Sequence, residues 1–246
     1  MFNFFADEQQ FNDNKYYITG NDYNHIVNVL RMQVGDKFLV SCNSSSDLCE
    51  IESTDDNTVC AVIIEKNYQE TELPIKIYLF QGLPKSDKME LIIQKVTELG
   101  VTDIIPVEMS RCVVKIEDKK KQSKQARWQA IAESAAKQSK RNCIPVVHNI
   151  TPYKIALQTA QELDVIIVPY ENKDGMLATK DALSSIKPGA TVGIFIGPEG
   201  GFDETEITTA INAGGKIISL GKRILRTETA AITSAGMCML YAEINF

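Results

Sequence analysis

The chain has 246 residues, 44% of them hydrophobic, which is enough for one large or two medium-sized domains with substantial cores. No stretch approaches the ~20 apolar residues of a membrane-spanning helix, and the amino-terminal MFNFFADEQQ lacks the basic flank of a signal peptide. We therefore expect a globular cytoplasmic protein without membrane contact.

The six cysteines form no C-x-x-C pair, and neither histidine stands at metal-ligand spacing. This pattern argues against a zinc site. We expect no bound metal, and reduced thiols that pack as small hydrophobic groups.

The formal net charge of −6 argues against a nucleic-acid partner, because contacts with phosphates require lysine and arginine. The basic residues are unevenly distributed, however, since residues 111–141 contain ten of them against three acidic residues. Such a segment is commonly a solvated face, but it is also the first candidate for binding nucleic acid.

Residues 1–72 contain three short β-prone runs separated by polar turns, which predicts a small barrel or meander. The runs are KFLVSC (37–42), DLCEIES (47–53) and TVCAVIIEK (58–66). A short helix is predicted before them, capped by Asn21 or Asp22 and ended by the Gly35-Asp36 turn. Its apolar face would carry Ile26, Val29 and Leu30. The polar stretch NYQETELP (67–74) closes the unit, and we place the domain boundary after residue 72.

Residues 73–246 alternate between strands and helices, which predicts a mostly parallel sheet covered on both faces. The candidate strands are IKIYLF (75–80), DIIPV (103–107), DVIIV (164–168), TVGIFI (191–196) and KIISL (216–220). After the first strand, Met89, Ile92, Ile93, Val96 and Leu99 recur at helical spacing, and Gly100 is placed to end that helix.

A second helix is predicted at about 124–141. One side carries Trp128, Ile131, Ala132 and Ala135, and the other carries Lys124, Arg127, Lys137 and Arg141. An amphipathic helix of this kind can bury one side and meet phosphates with the other.

The segment IGPEGGF (196–202) follows a buried strand and precedes a helix that Asp203 can cap, with Glu206 as its capping-box partner. Its glycines allow a ligand to approach the backbone closely, although a plain strand-to-helix turn is the simpler interpretation. Acidic residues surround the helix start and no lysine follows as in a P-loop. A bound ligand is therefore expected to carry hydroxyls or positive charge rather than phosphate.

The segment LGKRILRTETAAITSAG (220–236) repeats this arrangement. A turn at Gly221 is followed by the cations Lys222, Arg223 and Arg226 and then by a helix that Thr227 can cap. Two glycine turns from neighbouring strands predict one shared pocket. The small residues of the helix permit close backbone approach, and tight helix packing alone explains them equally well.

Together, IGPEGGF and LGKRILRTETAA (220–231) resemble the signature of the SPOUT-class methyltransferases that form N3-methyluridine in small-subunit ribosomal RNA. The resemblance extends to HIVNVLRMQVGD (25–36), QKVTELGV (94–101) and RWQAIAESAAKQSKR (127–141), and so covers nearly the whole chain. It implies an RNA-binding PUA-like β-barrel at 1–72 and a SPOUT α/β domain at 73–246, with a deep trefoil knot at the cofactor site. It also implies a homodimer, S-adenosylmethionine as the cofactor, and 16S ribosomal RNA or the small ribosomal subunit as the partner.

The family's motifs imply the site residues by position. The cofactor-binding residues would be Pro169, Ile196, Gly197, Pro198, Glu199, Gly200, Leu220, Gly221, Ile224, Leu225, Thr229 and Ala230. The candidates for RNA contact are Arg31, Arg111, Lys124, Arg127, Lys137, Arg141 and Arg223. One departure concerns the amino terminus, where Asn3 stands in place of an arginine that usually precedes paired aromatic residues in the family. Asn3 cannot supply that charge to RNA.

Methylation of uridine N3 requires loss of the imide proton and stabilisation of the charge that develops on O2 and O4. Arg226, or Arg223, is the candidate for stabilising that charge, and Glu199 or Glu228 for accepting the proton. Phosphate binding by Arg226 and stabilisation of a helix start by Glu228 are simpler roles for the same residues. His25 and His148 are isolated in the sequence, and we expect both to be structural.

Three other functions stay open. A methyltransferase of the same class could act on another RNA or on a ribose 2′-hydroxyl, and a non-catalytic RNA-binding assembly factor could have the same organisation. A nucleotide-dependent oxidoreductase is disfavoured, because no G-x-G-x-x-G follows an early strand.

Overall fold

The computed structural model describes residues 1–85, 87–170 and 175–246. The chain forms two compact units, one of residues 1–72 with 136–144 and the other of residues 73–135 with 145–246. No helix among the described residues is long and apolar enough to cross a membrane. All six cysteines are free thiols, as predicted.

The first unit is built on a curled six-stranded sheet with the order β1-β4-β5-β6-β3-β2. Its strands are β1 (Asn3–Phe5), β2 (Phe11–Asn12), β3 (Lys15–Ile18), β4 (Lys37–Cys42), β5 (Ser45–Asp55) and β6 (Thr58–Glu65). The β1–β4 pair is parallel and the remaining pairs are antiparallel. The core lies inside this sheet, where the rings of Phe4 and Phe38 meet edge to face with centroids 5.4 Å apart. The three predicted runs are confirmed as β4, β5 and β6.

The helix before β4 differs from the prediction. It begins as α1 (Gly20–Asn24), with the backbone of Thr19 rather than Asn21 or Asp22 at its N-cap, and widens into a π-helical turn over His25–Val29. Ile26 is fully buried, as predicted, but Val29 is 63% exposed. The wider turn changes which residues share a face, and 3.6-residue spacing therefore gave the wrong position for Val29.

The long basic helix, α3 (Asp118–Ser139), begins before residue 124 and ends before Arg141. Lys140 takes a left-handed conformation with φ of +58°, and the amide of Arg141 donates to the Ala136 carbonyl at 3.0 Å. This is the hydrogen bond of a Schellman C-cap, and it turns the chain away from the helix axis. The predicted outward position of Arg141 is therefore wrong, because this turn places its side chain in the interior of the first unit.

Arg141 is only 3% exposed, and its guanidinium binds both oxygens of Glu72. The backbone amide of Asn142 adds a hydrogen bond of 2.9 Å to the same carboxylate. Burial by itself raises the pKa of Glu72, but the hydrogen bonds and charge of Arg141 outweigh that effect and lower it. This ion pair joins residues 136–144 to the end of the amino-terminal segment.

The second unit contains a parallel sheet with the order β10-β8-β7-β12-β11-β13, and β9 also pairs with β8. Its strands are β7 (Lys76–Gly82), β8 (Asp103–Glu108), β9 (Val146–Val147), β10 (Thr151–Pro152), β11 (Val165–Pro169), β12 (Thr191–Ile196) and β13 (Lys216–Ile218). Every pair in this sheet is parallel, as predicted.

Both faces of this sheet are buried, as the apolar strands predict. Along β7 and β12, Ile77 and Ile194 enter a cluster on one face, whereas Phe80 and Phe195 stack 4.4 Å apart on the other. The other helices of the unit are α2 (Lys88–Glu98), α4 (Tyr153–Ala160), α5 (Met176–Ser184), α6 (Glu204–Asn212) and α7 (Thr227–Asn245). Gly100, with φ of +85°, follows the end of α2 as predicted.

The small residues of α7 are packed against the sheet. Ala231, Ser234 and Ala235 are fully buried, and the helix contacts α2, β7 and β12. Their small size therefore has a structural explanation in helix packing. This packing fixes the start of α7 at the carboxyl-terminal edge of the sheet, where ligands bind in folds of this kind.

We predict that Arg141→Met destabilises the protein by about 3 kcal/mol, because Glu72 would lose its counter-ion in a largely buried position. The double variant Arg141→Met/Glu72→Gln should recover part of this loss, because it leaves no buried charge. Urea unfolding at neutral pH measures both variants, and equal stability of Arg141→Met and the wild type would contradict the prediction.

The same pair predicts a pH dependence. Since the folded-state pKa of Glu72 is lowered, its contribution to stability is complete at neutral pH and is lost as the pH falls below about 4. The difference in unfolding free energy between the wild type and Glu72→Gln should shrink over that acidic range. A difference that does not change with pH would contradict this assignment.

Candidate active site

Loops from the carboxyl ends of neighbouring strands surround one cavity of about 820 Å³. The loops follow β11, β12 and β13, and the start of α2 completes the wall. The lining residues are Lys88, Pro169, Tyr170, Ile196, Gly197, Pro198, Glu199, Gly201, Phe202, Ser219, Leu220, Gly221, Lys222, Arg223, Ile224, Leu225, Arg226, Thr227 and Ala230. The predicted shared pocket of the two glycine segments is thus present.

The loop after β12 requires glycine for steric reasons. A Cβ atom at Gly200 would lie 2.9 Å from the Cβ of Arg111, and one at Gly197 would lie 3.1 Å from the carbonyl carbon of Gly201. Gly201 itself has a φ of +69°, which disfavours a side chain. Arg111 also donates from Nη1 to the Gly200 carbonyl at 3.2 Å. These contacts hold the loop in a compact turn against the segment that follows β8.

The helix after this loop begins with the predicted capping box. Asp203 accepts a hydrogen bond from the amide of Thr205 at 3.0 Å, and Glu206 accepts one from the amide of Asp203 at 2.9 Å. Glu206 is buried and also accepts from the amide of Ser110 at 2.8 Å. The acidic residues therefore serve the start of α6 and its packing.

The predicted acidic edge of the pocket is wrong. Asp203 and Glu206 do not line the cavity, and the described lining contains Glu199 as its acid beside four basic side chains, Lys88, Lys222, Arg223 and Arg226. The hydrogen bonds of Asp203 and Glu206 turn both acids toward the start of α6 and the Ser110 amide. With four basic side chains and one acidic side chain in its described lining, the cavity is compatible with a phosphate group in its ligand.

The loop after β13 is fixed by a buried threonine. Thr179 of α5 donates to the Ser219 carbonyl at 2.7 Å and accepts from the Ser219 amide at 3.2 Å. The Ser219 hydroxyl accepts from the Gly221 amide, and Gly221 has a φ of +104°. Beyond this anchored turn, the side chains of residues 222–224 and of Arg226 are exposed.

Thr227 was predicted to cap α7, and this prediction is wrong. The N-cap is Arg226, without a side-chain capping bond, and Thr227 is the first helical residue. Its hydroxyl donates to the Gly197 carbonyl at 2.7 Å and accepts from Nε2 of Gln81 at 3.0 Å. Gln81 lies in β7 and is fully buried. Thr227 therefore ties the loop after β12 to the start of α7.

Lys88 is a site residue that the sequence analysis did not identify. Its Nζ lies 3.1 Å from Oε1 of Glu199 and 3.3 Å from Oε2 of Glu228, so it bridges the two candidate proton acceptors. The sequence feature that could have identified Lys88 is its position at the start of the helix after β7, since that helix begins at the same edge of the sheet as the glycine loops. Glu199 also accepts from the Lys85 amide at 3.0 Å. Burial raises the pKa of Glu199, but these hydrogen bonds and the Lys88 charge outweigh it and lower the pKa.

Most of the proposed cofactor-binding residues line the cavity. The exceptions are Gly200, which faces Arg111, and Thr229, which is exposed on the first turn of α7. Of the catalytic candidates, Arg226 and Glu199 line the cavity. Glu228 does not, and its Oε2 atom is buried without a hydrogen bond, although Lys88 lies within ion-pair distance.

The RNA-binding candidates occupy different places. In the second unit, Arg223 lines the cavity, Lys124 is exposed, and Arg127 pairs with Glu90 at 2.8 Å. Arg111 contacts Gly200 and remains exposed.

In the first unit, Arg31 is exposed with a φ of +54°, and Lys137 pairs with Asp22 at 2.8 Å. Arg141 is buried and is not proposed as an RNA contact. Asn3 is also buried and donates to the Arg141 carbonyl at 3.0 Å. Asn3, which stands where the methyltransferase family usually has an arginine, therefore packs inside the first unit.

Two family profiles match the chain. The RNA methyltransferase domain matches residues 71–239, and the RNA methyltransferase PUA domain matches residues 18–64. The ribosomal RNA small subunit methyltransferase E of Bacillus subtilis (strain 168) is 42% identical over 231 residues, covering 92% of this chain and 90% of that protein.

Two solved structures share the fold over nearly their full length. The ribosomal RNA small subunit methyltransferase E of Neisseria gonorrhoeae, bound to S-adenosyl methionine, has a TM-score of 0.82 and 30% identity, covering 98% of this chain and 97% of that one. A putative methyltransferase from Legionella pneumophila in complex with the cofactor SAM also has a TM-score of 0.82, with 28% identity and 97% of each chain covered. With the sequence matches and the shared glycine-loop pocket, these similarities show that the chain belongs to the RNA methyltransferase family that includes the ribosomal RNA small subunit methyltransferase E proteins.

Proposed function

We propose that this protein transfers a methyl group from S-adenosylmethionine to N3 of a specific uridine in the 16S ribosomal RNA of the small subunit. The observation that carries the proposal is the convergence of both glycine loops, Arg226 and Glu199 on one cavity. The Neisseria gonorrhoeae relative that shares the fold is named for small-subunit ribosomal RNA and has S-adenosylmethionine bound, and the Bacillus subtilis relative has the same name.

The cavity fits this cofactor by size and by the character of its walls. Its volume of about 820 Å³ lies within the range of small-molecule sites, roughly 300–1,000 Å³. Gly197 and Gly221 let a ligand approach the backbone without side chains in the way, and Leu220, Leu225 and Ala230 supply apolar surface for an adenine ring. When bound, the cofactor supplies a methyl group attached to a positively charged sulfur.

The side chains of the cavity have separate tasks in the proposed reaction. Glu199, which is held ionised, accepts the imide proton of the uridine, and Arg226 stabilises the negative charge that develops on O2 and O4. The N3 lone pair then forms the new bond to the methyl carbon, and the electrons of the broken carbon–sulfur bond stay on sulfur. Positioning of both reactants in the cavity supplies much of the rate.

We further propose that residues 1–72 bind RNA as a PUA-like barrel and that residues 73–246 form the methyltransferase domain with a trefoil knot. Exposed basic residues, among them Arg31, Lys124 and Arg223, are suited to contacts with phosphates. Leu240, Ile244 and Phe246 expose apolar surface at the end of α7, which supports the proposed homodimer.

The proposed product predicts a defined chemical change. N3 methylation removes a Watson–Crick donor, so reverse transcriptase should stop at the modified uridine of 16S ribosomal RNA. A strain without the gene should lose the stop and lose N3-methyluridine in nucleoside mass spectrometry, and complementation should restore both. An unchanged stop pattern and nucleoside content would refute the assignment.

The comparison of strains with and without the gene also distinguishes the proposed function from the alternative functions. Loss of a different methylated nucleoside, or of a 2′-O-methyl group, would identify another target for the same class of enzyme. A non-catalytic assembly factor need not bind S-adenosylmethionine, and calorimetry with the purified protein would then show no binding.

We predict that Arg226→Ala lowers the methylation rate by about 100-fold, because the charge on the uridine oxygens would lose its stabilising cation. Binding of S-adenosylmethionine, measured by calorimetry, should be nearly unchanged, and Arg226→Lys should recover part of the rate. Wild-type turnover by Arg226→Ala would remove Arg226 from the mechanism.

We predict that Thr227→Val weakens cofactor binding about tenfold, because the Gly197 carbonyl would lose its partner and the side-chain amide of Gln81 would keep only the Gly82 carbonyl. Thr227→Ser keeps the hydroxyl and should bind the cofactor as the wild type does. Calorimetry measures both variants. Equal affinity of Thr227→Val and Thr227→Ser would show that the link between the loops is not needed.

A further inference from the structure

Lys88 occupies a position that is unfavourable for a lysine. It is the first residue of α2, where the partial positive charge of the helix end and the unpaired amide groups favour acidic side chains. Its ammonium group lies instead between Glu199 and Glu228, and the side chain is 29% exposed. The cost of placing a cation at this helix end is therefore offset by two carboxylates that come from separate loops.

The two carboxylates need a cation between them. Glu199 belongs to the loop after β12 and Glu228 to the first turn of α7, and their side chains are 25% and 15% exposed. Two carboxylates that share one ion would repel each other without it, and one of them would tend to take up a proton. A protonated Glu199 could not accept the imide proton of a substrate.

Four basic side chains line the cavity with Glu199, namely Lys88, Lys222, Arg223 and Arg226, and among the described residues Lys88 is the one in ion-pair contact with it. The turn before α2 contributes the Lys85 amide, and α7 contributes Glu228, which is negative. From the segment after β8, Arg111 is directed to the Gly200 carbonyl and Asp203, and the Cys112 thiol lies near enough to interact electrostatically.

We propose that Lys88 is a positioning residue whose ammonium group holds the Glu199 and Glu228 carboxylates together at the wall of the cavity and keeps Glu199 ionised. The reaction assigned to Glu199 rests on the proposed function, whereas the ionisation state of Glu199 is a property of the protein alone. In the reaction, the imide proton passes to the Glu199 carboxylate, and the resulting carboxylic acid returns it to solvent after methyl transfer.

Carbon-13 NMR of the cofactor-free protein tests this role directly. Glutamate labelled at the side-chain carboxyl carbon gives a pH titration of Glu199, assigned with Glu199→Gln. In Lys88→Met the titration midpoint of Glu199 should rise by about one pH unit or more, because the Lys85 amide then opposes burial and the charge of Glu228 without the cation. Lys88→Arg should keep the midpoint near that of the wild type.

A matched control is Lys95→Met, on the same helix, where the lysine pairs with Glu98 at 2.8 Å. It should leave the Glu199 titration unchanged. Glu228→Gln removes the neighbouring negative charge and leaves Lys88 in place, so it should lower the midpoint, and it provides a second test if Lys88→Met does not fold. An unchanged Glu199 midpoint in Lys88→Met or in Glu228→Gln overturns the proposal.

Single-turnover methylation separates this inference from the proposed function. At a pH below the shifted midpoint, Lys88→Met should methylate about tenfold more slowly than the wild type, with a smaller loss at high pH. If Glu199→Gln methylates at the wild-type rate, Glu199 is not the proton acceptor, although the NMR result still decides what Lys88 does. Absence of methylation by the wild type would refute the proposed function alone.

Discussion

The hydroxyl group of Thr227 is the interaction on which the site depends. The hydroxyl donates to the backbone carbonyl of Gly197 and accepts from the side-chain amide of Gln81. It thereby connects the loop after β12, the start of α7 and the end of β7. These segments are distant in the chain but leave the same edge of a parallel sheet. Without such a link, the two glycine loops would be independent turns. With it, one cavity has both loops as walls, and Arg226 stands beside it.

The protein places its charges in two different ways. In the first unit, the buried Arg141 and the partly buried Glu72 bind each other, and Glu72 also accepts from a backbone amide, so the pair serves the fold. At the cavity, Lys88 is shared by two carboxylates, while Arg223 and Arg226 remain exposed in their loop. Exposed cations of that kind are available to RNA or substrate. Lys88, which is shared between two carboxylates, instead adds to the effects that lower the pKa of Glu199.

The rigidity of the site comes from the packing beneath it. The aromatic stack of Phe80 and Phe195 and the small residues of α7 hold the strands and the helix in close contact. The glycine loops after β12 and β13 are therefore held at their ends by buried elements. Thr179 does the same for the loop after β13, through two hydrogen bonds to the backbone of Ser219.

The sequence by itself determined β4 to β8 and β11 to β13, the parallel arrangement of the second sheet, the capping box at Asp203 and the two glycine segments of the pocket, but not the short strands β1, β2, β3, β9 and β10. Each depends on local periodicity or on residues a few positions apart, which a sequence displays directly. The inward turn of Arg141, the hydrogen bonds of Thr227, the π-helical shift at Val29 and the bridge made by Lys88 were decided by tertiary structure. Each depends on which distant groups come within hydrogen-bond or ion-pair distance, and no local pattern records that.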